Sequence, residues 1–234
     1  MKFNIKCILL CFAICGCHHN PKELLSISGD NIPILHTIDN DSSIIEIYKP
    51  YKLILDSIMN EVLCYSPEFL EKSKPESKLS NWMADVCLNT ANNIQKSDFC
   101  LLNYGGIRSS LPKGEVLIKN IFQLMPFENE LVIIEISQST FEKTIAYLKE
   151  NPGQPISGIK ISIQNDRIYH SLDKKESIYV VTSDYLANGG DQMTFFSDSL
   201  SMIKTHLKIR DILLSECENI DTLRTIIDNR FIHD

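Results

Sequence analysis

Metal-binding patterns are scarce in this sequence. Its six histidines, His18, His19, His36, His170, His206 and His233, are scattered along 234 residues with no carboxylate partners at ligand spacing. No Cys-x-x-Cys pair occurs, no Gly-x-Ser-x-Gly elbow for a serine nucleophile and no Walker loop for a nucleoside triphosphate. These absences count against a zinc site, an α/β-hydrolase mechanism and a P-loop ATPase. Basic charge is also in short supply: 23 Lys and Arg face 30 Asp and Glu, a net −7. Sequence-independent nucleic-acid binding needs a basic face, so nucleic acid is not an expected partner. No apolar run is long enough to cross a bilayer, and no heptads, long repeats or low-complexity tracts stand out.

What is present suits one globular domain with a real core, since 44% of the residues are hydrophobic and 23% charged. The first residues stand apart. Lys2 and Lys6 precede an apolar run from Cys7 to Ala13, too short to span a membrane, and Ile14-Cys15-Gly16-Cys17 closes it. That pattern resembles a bacterial lipoprotein signal, in which the cysteine after a small residue is lipidated, although Cys15 stands where a small residue is more usual. Residues 1–16 are therefore expected to be a signal peptide, Cys17 the lipidation site and residues 17–40 a tether that includes His18 and His19, with an ordinary secretory signal as the alternative. The resemblance implies anchoring to a membrane of the cell envelope, facing the periplasm or the exterior. Without residues 1–16 the balance is 21 basic against 30 acidic residues, a net −9. A small anionic ligand then requires positive charge gathered in one cleft. Besides Cys17, the remaining cysteines are Cys64, Cys87, Cys100 and Cys217, an even number whose pairing the sequence leaves open. Cys87 and Cys100 sit in apolar settings and read as small buried hydrophobes.

Residues 41–234 read as one domain in which strands and helices alternate without a regular βαβ rhythm, so the predicted fold class is α+β. Apolar spacing predicts a helix from Ser42 to about Leu63, capped by Asp41-Ser42-Ser43 and kinked or divided at Pro50. Tyr65 to Ser77 reads as a loop and Ser77 to about Asn93 as a second helix. Strands are predicted over 98–103, Leu131–Ile136 and Ser177–Thr182, with a hairpin formed by Ile159–Gln164 and Arg167–His170. Helices are predicted over Lys119–Met125, Ser139–Lys149 and 204–217, and a last strand over Ile226–Ile232.

Three separated stretches carry the chemistry. In Asn103-Tyr104-Gly105-Gly106-Ile107-Arg108, two glycines after a strand allow a sharp turn and close approach to a ligand. Arg108 is a natural anion reader, because a guanidinium grips phosphate or carboxylate with two parallel hydrogen bonds. Far downstream, Ser183 to Asp191 again joins a strand to a glycine pair, Gly189 and Gly190, and a charged residue. Asp191 accepts hydrogen bonds only, as a sugar diol requires. Between the two lies Leu124-Met125-Pro126-Phe127-Glu128-Asn129. Phe127 and Tyr185 offer flat faces to a purine or pyrimidine, and such stacking is worth ~1–3 kcal/mol per base. For either aromatic alone a place in the core is the commoner fate.

In this order the three stretches resemble the C-terminal, substrate-binding domain of the bacterial and animal 5'-nucleotidases, a family that includes UDP-sugar hydrolases and 2',3'-cyclic phosphodiesterases. The resemblance runs from about residue 45 to the C-terminus. Glu76 to Asp85 is similar to the family signature Glu-Ser-x-Leu-Gly-Asn-x-x-Ala-Asp, with Ser80 where glycine is usual. A layered α/β/β/α domain is implied. So are residue roles: Phe127 and Tyr185 sandwich the base, Asn103 helps hold it, Asp191 binds ribose and Arg108 contacts phosphate. Gly105, Gly106, Gly189 and Gly190 shape the pocket, and Asn188 is counted with the substrate-binding residues. Tyr185 replaces a common phenylalanine. Lys72 and Lys74 stand near the place of a family arginine that helps bind phosphate.

Members of the family hydrolyse phosphate esters with two metal ions on a separate N-terminal metallophosphoesterase domain. The Asp-x-His and Gly-Asn-His-Asp/Glu motifs of that domain are missing from these residues. The expectation is a nucleotide-recognition subunit without catalytic residues, metal or cofactor of its own, which completes a 5'-nucleotidase with a metallophosphoesterase in trans carrying the divalent metal pair. The alternative is a lipoprotein that captures nucleosides or nucleotides without hydrolysis.

Overall fold

The computed structural model describes residues 29–33, 35, 38, 39 and 41–233. The predicted signal peptide, Cys17, His18, His19 and His36 lie outside the described residues. The described residues fall into two units, divided between Ile47 and Tyr48. In the first, the Asp41 carboxylate accepts from the backbone N–H groups of Ser43 and Ile44, as a helix N-cap does.

The elements in order are α1 (Ser42–Met59), β1 (Val62–Ser66), α2 (Lys78–Asn92), β2 (Phe99–Leu101), β3 (Gly114–Leu117), α3 (Ile118–Leu124), β4 (Glu130–Ser137), α4 (Gln138–Glu150), β5 (Ile156–Ser157), β6 (Ile161–Gln164), β7 (Arg167–His170), β8 (Ser177–Ser183), α5 (Asp184–Ala187), β9 (Ser201–Lys208), α6 (Ile209–Glu218) and β10 (Phe231–His233). This is the α+β class expected from the sequence. A five-stranded sheet in the order β5-β2-β8-β4-β9 forms its centre, with a three-stranded sheet β10-β6-β7 and the two-stranded pair β1-β3 beside it.

The central sheet is buried on both faces, and strand periodicity assigns each residue to a side. Cys100, Leu131, Ile133 and Val181 join one apolar cluster with Leu79, Trp82 and Met83 of α2, Leu124 of α3 and Leu213 of α6. Their alternating neighbours Phe99, Leu101, Val132, Ile134 and Val180 join the other, with Phe141 and Leu148 of α4, Ile161 and Ile163 of β6 and Phe231 of β10. The result is the layering implied by the resemblance: helices, large sheet, then the small sheet with α4.

The signature at 76–85 acts as a structural staple. Ser77 caps α2 and forms a capping box with Ser80, so the hydroxyl that replaces glycine satisfies the Ser77 backbone N–H at 3.1 Å. Glu76 Oε1 accepts from Asn81 Nδ2 and from the backbone N–H of Asp228, while Asp85 accepts from Ser157 Oγ and from both terminal nitrogens of Arg230. Burial pushes the Arg230 guanidinium down, but the hydrogen bonds it donates to Asp85 and Asp228 outweigh that and raise its pKa. The C-terminal segment is thereby tied to α2.

Three expectations are corrected. Val62 and Leu63 leave the helix and, with Cys64 to Ser66, form β1, which pairs antiparallel with β3 in place of part of the predicted loop. Of the two outcomes expected at Pro50, division does not occur: it lies inside α1, which continues from Ser42 to Met59 with no residue buried, so water can satisfy the carbonyl that proline leaves without a donor. The helix predicted over 204–217 begins at Ile209. Residues 201–208 form the edge strand β9, whose apolar residues are mostly exposed and whose pairing with β4 shifts register between Glu130 and Val132, erasing the period-2 signal. The last strand is only Phe231–His233, parallel to β6. The hairpin of β6 and β7 forms without glycine because Asn165 and Asp166 take φ of 48° and 60°, the positive region that short polar side chains tolerate.

Only one pair in the central sheet is parallel, β2 with β8, in the register Phe99↔Val180 and Cys100↔Val181. Thr182 Oγ1 crosses from β8 to donate to the Leu101 carbonyl at 2.8 Å, fully buried. Thr182→Val should lower unfolding free energy by about 0.5–1.5 kcal/mol, measured by urea denaturation; a change near zero would show that this cross-strand bond does not hold the pair.

Candidate functional site

The parallel pair decides where the site lies. Because β2 and β8 run side by side in the same direction, both end at one edge of the sheet, and the two glycine stretches that follow them emerge together. The antiparallel strand β4 begins at that edge, with Leu131 opposite Ser183, so the Pro126-Phe127 segment enters from the same side. Asp184 ties these ends: one carboxylate oxygen accepts from the backbone N–H of Glu130 at 3.1 Å and of Tyr185 at 2.8 Å. Ser183 caps the single turn α5 through Leu186 N–H at 3.2 Å.

Asn103, Gly105, Gly106, Arg108, Phe127, Asn129, Tyr185 and Asp191 line one cleft of about 320 Å³. That is the lower end of the ~300–1,000 Å³ found for small-molecule sites. Phe127 is 40% exposed and Tyr185 45% exposed, a high value for large aromatics that are free to join the core.

Asp191 is the hub. Its Oδ2 accepts from Asn103 Nδ2 at 2.6 Å and its Oδ1 from the Tyr185 hydroxyl at 2.8 Å, linking the two glycine stretches directly. Its backbone N–H donates to the Tyr185 oxygen at 3.2 Å, and its carbonyl accepts from the Tyr147 hydroxyl at 3.0 Å. Burial, then the neighbouring Asp191 and Tyr185, push the Tyr147 phenol up, so it remains a donor at neutral pH. Asp191 itself has φ 49° just after Gly189 at φ 89°, a sharp left-handed corner that aims its carboxylate back across the cleft.

The glycines serve close approach as well as turning. A Cβ on Gly190 would stand 2.5 Å from the Tyr185 ring, which therefore lies directly on that backbone. A Cβ on Gly106 would meet Asn103 Oδ1 at 2.8 Å. The Tyr104–Gly106 turn is held from behind by Gln154, almost fully buried, whose Oε1 accepts from Tyr104 N–H at 2.8 Å.

Phe127 is held by its flanks. Arg210 lies over the Phe122 ring at 4.4 Å, donates to the Pro126 carbonyl and pairs with Glu128, which Lys208 also engages. Lys208 and then Arg210 hold the Glu128 carboxyl down at about 2. Arg108 sits 5.9 Å from the Phe127 ring centroid and donates to the Gly105 carbonyl at 3.3 Å; among the described residues it has no carboxylate partner. Lys72 and Lys74 lie over the Tyr104 ring at 4.1 and 4.8 Å. Lys72 also donates to the Ile107 carbonyl at 2.6 Å, and burial followed by the charges of Arg108 and Lys74 pushes its ammonium down. An acidic chain thus gathers Lys72 and Lys74 around Tyr104, close to Arg108, the cation that lines the cleft.

Of the residues singled out from sequence, Asn188, Gly189 and Gly190 do not line the cleft; Gly190 lies behind it, under the Tyr185 ring. Asn188 Nδ2 donates to the Asp184 carbonyl at 2.8 Å and closes α5, and Gly189 supplies the turn. Asn129, Tyr147 and Gln154 were not anticipated. Asn129 adjoins the Pro-Phe element and could have been read with it, whereas Tyr147 and Gln154 act through contacts 44 and 50 residues away in sequence that no local pattern reveals. The cleft does not suit a divalent cation, because its one carboxylate, Asp191, is already bonded by two donors and shares the space with Arg108. Among the described residues no group of three or more His, Cys, Asp or Glu side chains gathers as metal ligands.

Residues 61–198 match the family described as 5'-nucleotidase, C-terminal domain. The trifunctional nucleotide phosphoesterase protein YfkN of Bacillus subtilis is 21% identical over 211 residues, covering 76% of this chain and 14% of that protein. The 5'-nucleotidase of Homo sapiens is 23% identical over 219 residues, covering 76% of this chain and 38% of that protein. Among solved structures, a 5'-nucleotidase precursor from Thermus thermophilus shares the fold with a TM-score of 0.70 at 20% identity, over 80% of this chain and 42% of the other. The chain spans less than half the length of each of these relatives.

Gly190→Ala should force the Tyr185 ring off the backbone and cost roughly 1–3 kcal/mol of stability, as overpacking does. Urea denaturation measures it; an unchanged midpoint would contradict the ring-on-backbone contact.

Proposed function

This chain belongs to the 5'-nucleotidase C-terminal domain family, and from that premise we propose that it recognises nucleotides for a 5'-nucleotidase-type phosphohydrolase whose metallophosphoesterase part is supplied in trans. The observation that carries the proposal is the convergence of Phe127, Tyr185, Asp191 and Arg108, from three distant stretches, on one cleft. A base stacks against the aromatic side chains with Asn103 helping to hold it, the sugar hydroxyls face Asp191, and the phosphate meets Arg108. Lys72 and Lys74, close to Arg108, add longer-range attraction, weakened by solvent screening.

The residues lining the cleft orient the ligand, and none of them is a histidine or lysine. When bound by the partner, a divalent metal pair would generate the attacking water and neutralise charge on the phosphoryl oxygens. The support for a partner is a cleft that can hold a nucleotide but whose donor set is unfit for metal. We further propose that Cys17 carries lipid and holds the complex at the envelope surface, on the support of the Lys2-to-Cys17 pattern.

Mixing the protein with candidate metallophosphoesterases should produce metal-dependent phosphate release from AMP, and Arg108→Ala should lower that release by about 10–100-fold, the worth of a charged hydrogen bond. Release unaffected by adding this chain would overturn the subunit proposal, and nucleotide binding without release would favour simple capture. Cys17→Ala should shift the protein from the membrane fraction to the soluble fraction on cell fractionation; unchanged membrane association would contradict the anchor.

A further inference from the structure

The Tyr185 hydroxyl adds a property that the nucleotide proposal alone does not contain, and the inference rests on that proposal. Where the resemblance leads one to expect phenylalanine, the hydroxyl donates to Asp191 Oδ1 at 2.8 Å and accepts from the Asp191 backbone N–H at 3.2 Å. Its single proton is therefore committed to the carboxylate. The other carboxylate oxygen is bonded by Asn103 Nδ2 at 2.6 Å. The ring cannot drift from this position without leaving the Gly190 backbone, on which it lies.

A site that hydrogen-bonds a ligand hydroxyl rejects the analogue lacking it, by about ten-thousandfold or more, because the covered polar group is left unpaired. Asp191 escapes that condition. With a deoxy sugar in place, its carboxylate keeps two charge-assisted donors from the protein itself, one to each oxygen. Phenylalanine at 185 would leave Oδ1 to the ligand or to water. We infer that Tyr185 sets the sugar selectivity of the cleft: its hydroxyl stands in for one hydroxyl of the sugar diol, so that ribonucleotides and 2'-deoxyribonucleotides bind with similar affinity.

Isothermal titration calorimetry of the full chain with AMP, 2'-deoxy-AMP, UMP and 2'-deoxy-UMP tests this without a partner. Wild type should bind each ribo and deoxy pair within about tenfold, and Tyr185→Phe, which keeps the ring, should raise the ribo preference about fivefold or more, because Oδ1 then loses its protein donor and gains from a ligand hydroxyl. A wild-type ribo preference beyond about tenfold, or a ratio that Tyr185→Phe leaves unaltered, overturns the inference while leaving nucleotide recognition intact. Failure of all four nucleotides to bind at millimolar concentration overturns nucleotide recognition itself, and the inference with it. The wild-type ratio decides the matter even if the variant does not fold.

Discussion

The site depends on the register of one parallel strand pair. β2 contributes three residues and β8 seven, and both are buried on both faces, so side chains fix which way each residue points. A slip by one residue would exchange Phe99 and Leu101 with Cys100 between two differently shaped clusters. The same register fixes where each strand ends. It sets Asn103 beside Asp191 although 88 residues separate them, and β4, held antiparallel to β8, adds Phe127 at the same edge. Core packing therefore places the cleft, and the loops need only turn correctly.

Turning correctly takes local strain and special residues. Asp191 and Gln192 have φ of 49° and 65°, conformations that cost energy in residues with a Cβ. Tyr147, Tyr185 and Asn103 hold that corner with hydrogen bonds to its carbonyl and its carboxylate. Gly106 and Gly190 leave room for Asn103 and Tyr185 to fold back over their own turns. Electrostatics complete the arrangement: in a chain of net −7, Lys72 and Lys74 stand close to Arg108, the cation that lines the cleft. Burial first, and then the charges of Arg108 and Lys74, push the Lys72 ammonium down, and an anion bound nearby would offset the second cause.

Much of this was legible in the sequence, for physical reasons that also explain the gaps. Leu131–Ile136 and Ser177–Thr182 are buried on both faces and read as unbroken β-branched runs, and α2 announces itself through Ser77 and a dense apolar face. The glycine pairs with Arg108, Phe127, Tyr185 and Asp191 carried enough order to bring the cleft residues together on paper. β1 and β3 escaped because strands of five and four residues with one or two buried positions hold too little alternation. β9 escaped because an edge strand with its apolar residues exposed resembles the start of the helix that follows it. Asn188 was placed in the pocket by its neighbours in sequence, yet its amide closes α5. The roles of Tyr147 and Gln154 arise only in three dimensions.

The claim beneath all of this is that strand register gathers three remote stretches into one nucleotide cleft. A crystal structure of the protein soaked with AMP tests it most directly. The account predicts the adenine ring against Phe127 and Tyr185, the ribose at Asp191 and the phosphate directed to Arg108. Adenine bound on any other face of the molecule, or a phosphate turned away from Arg108, would contradict it.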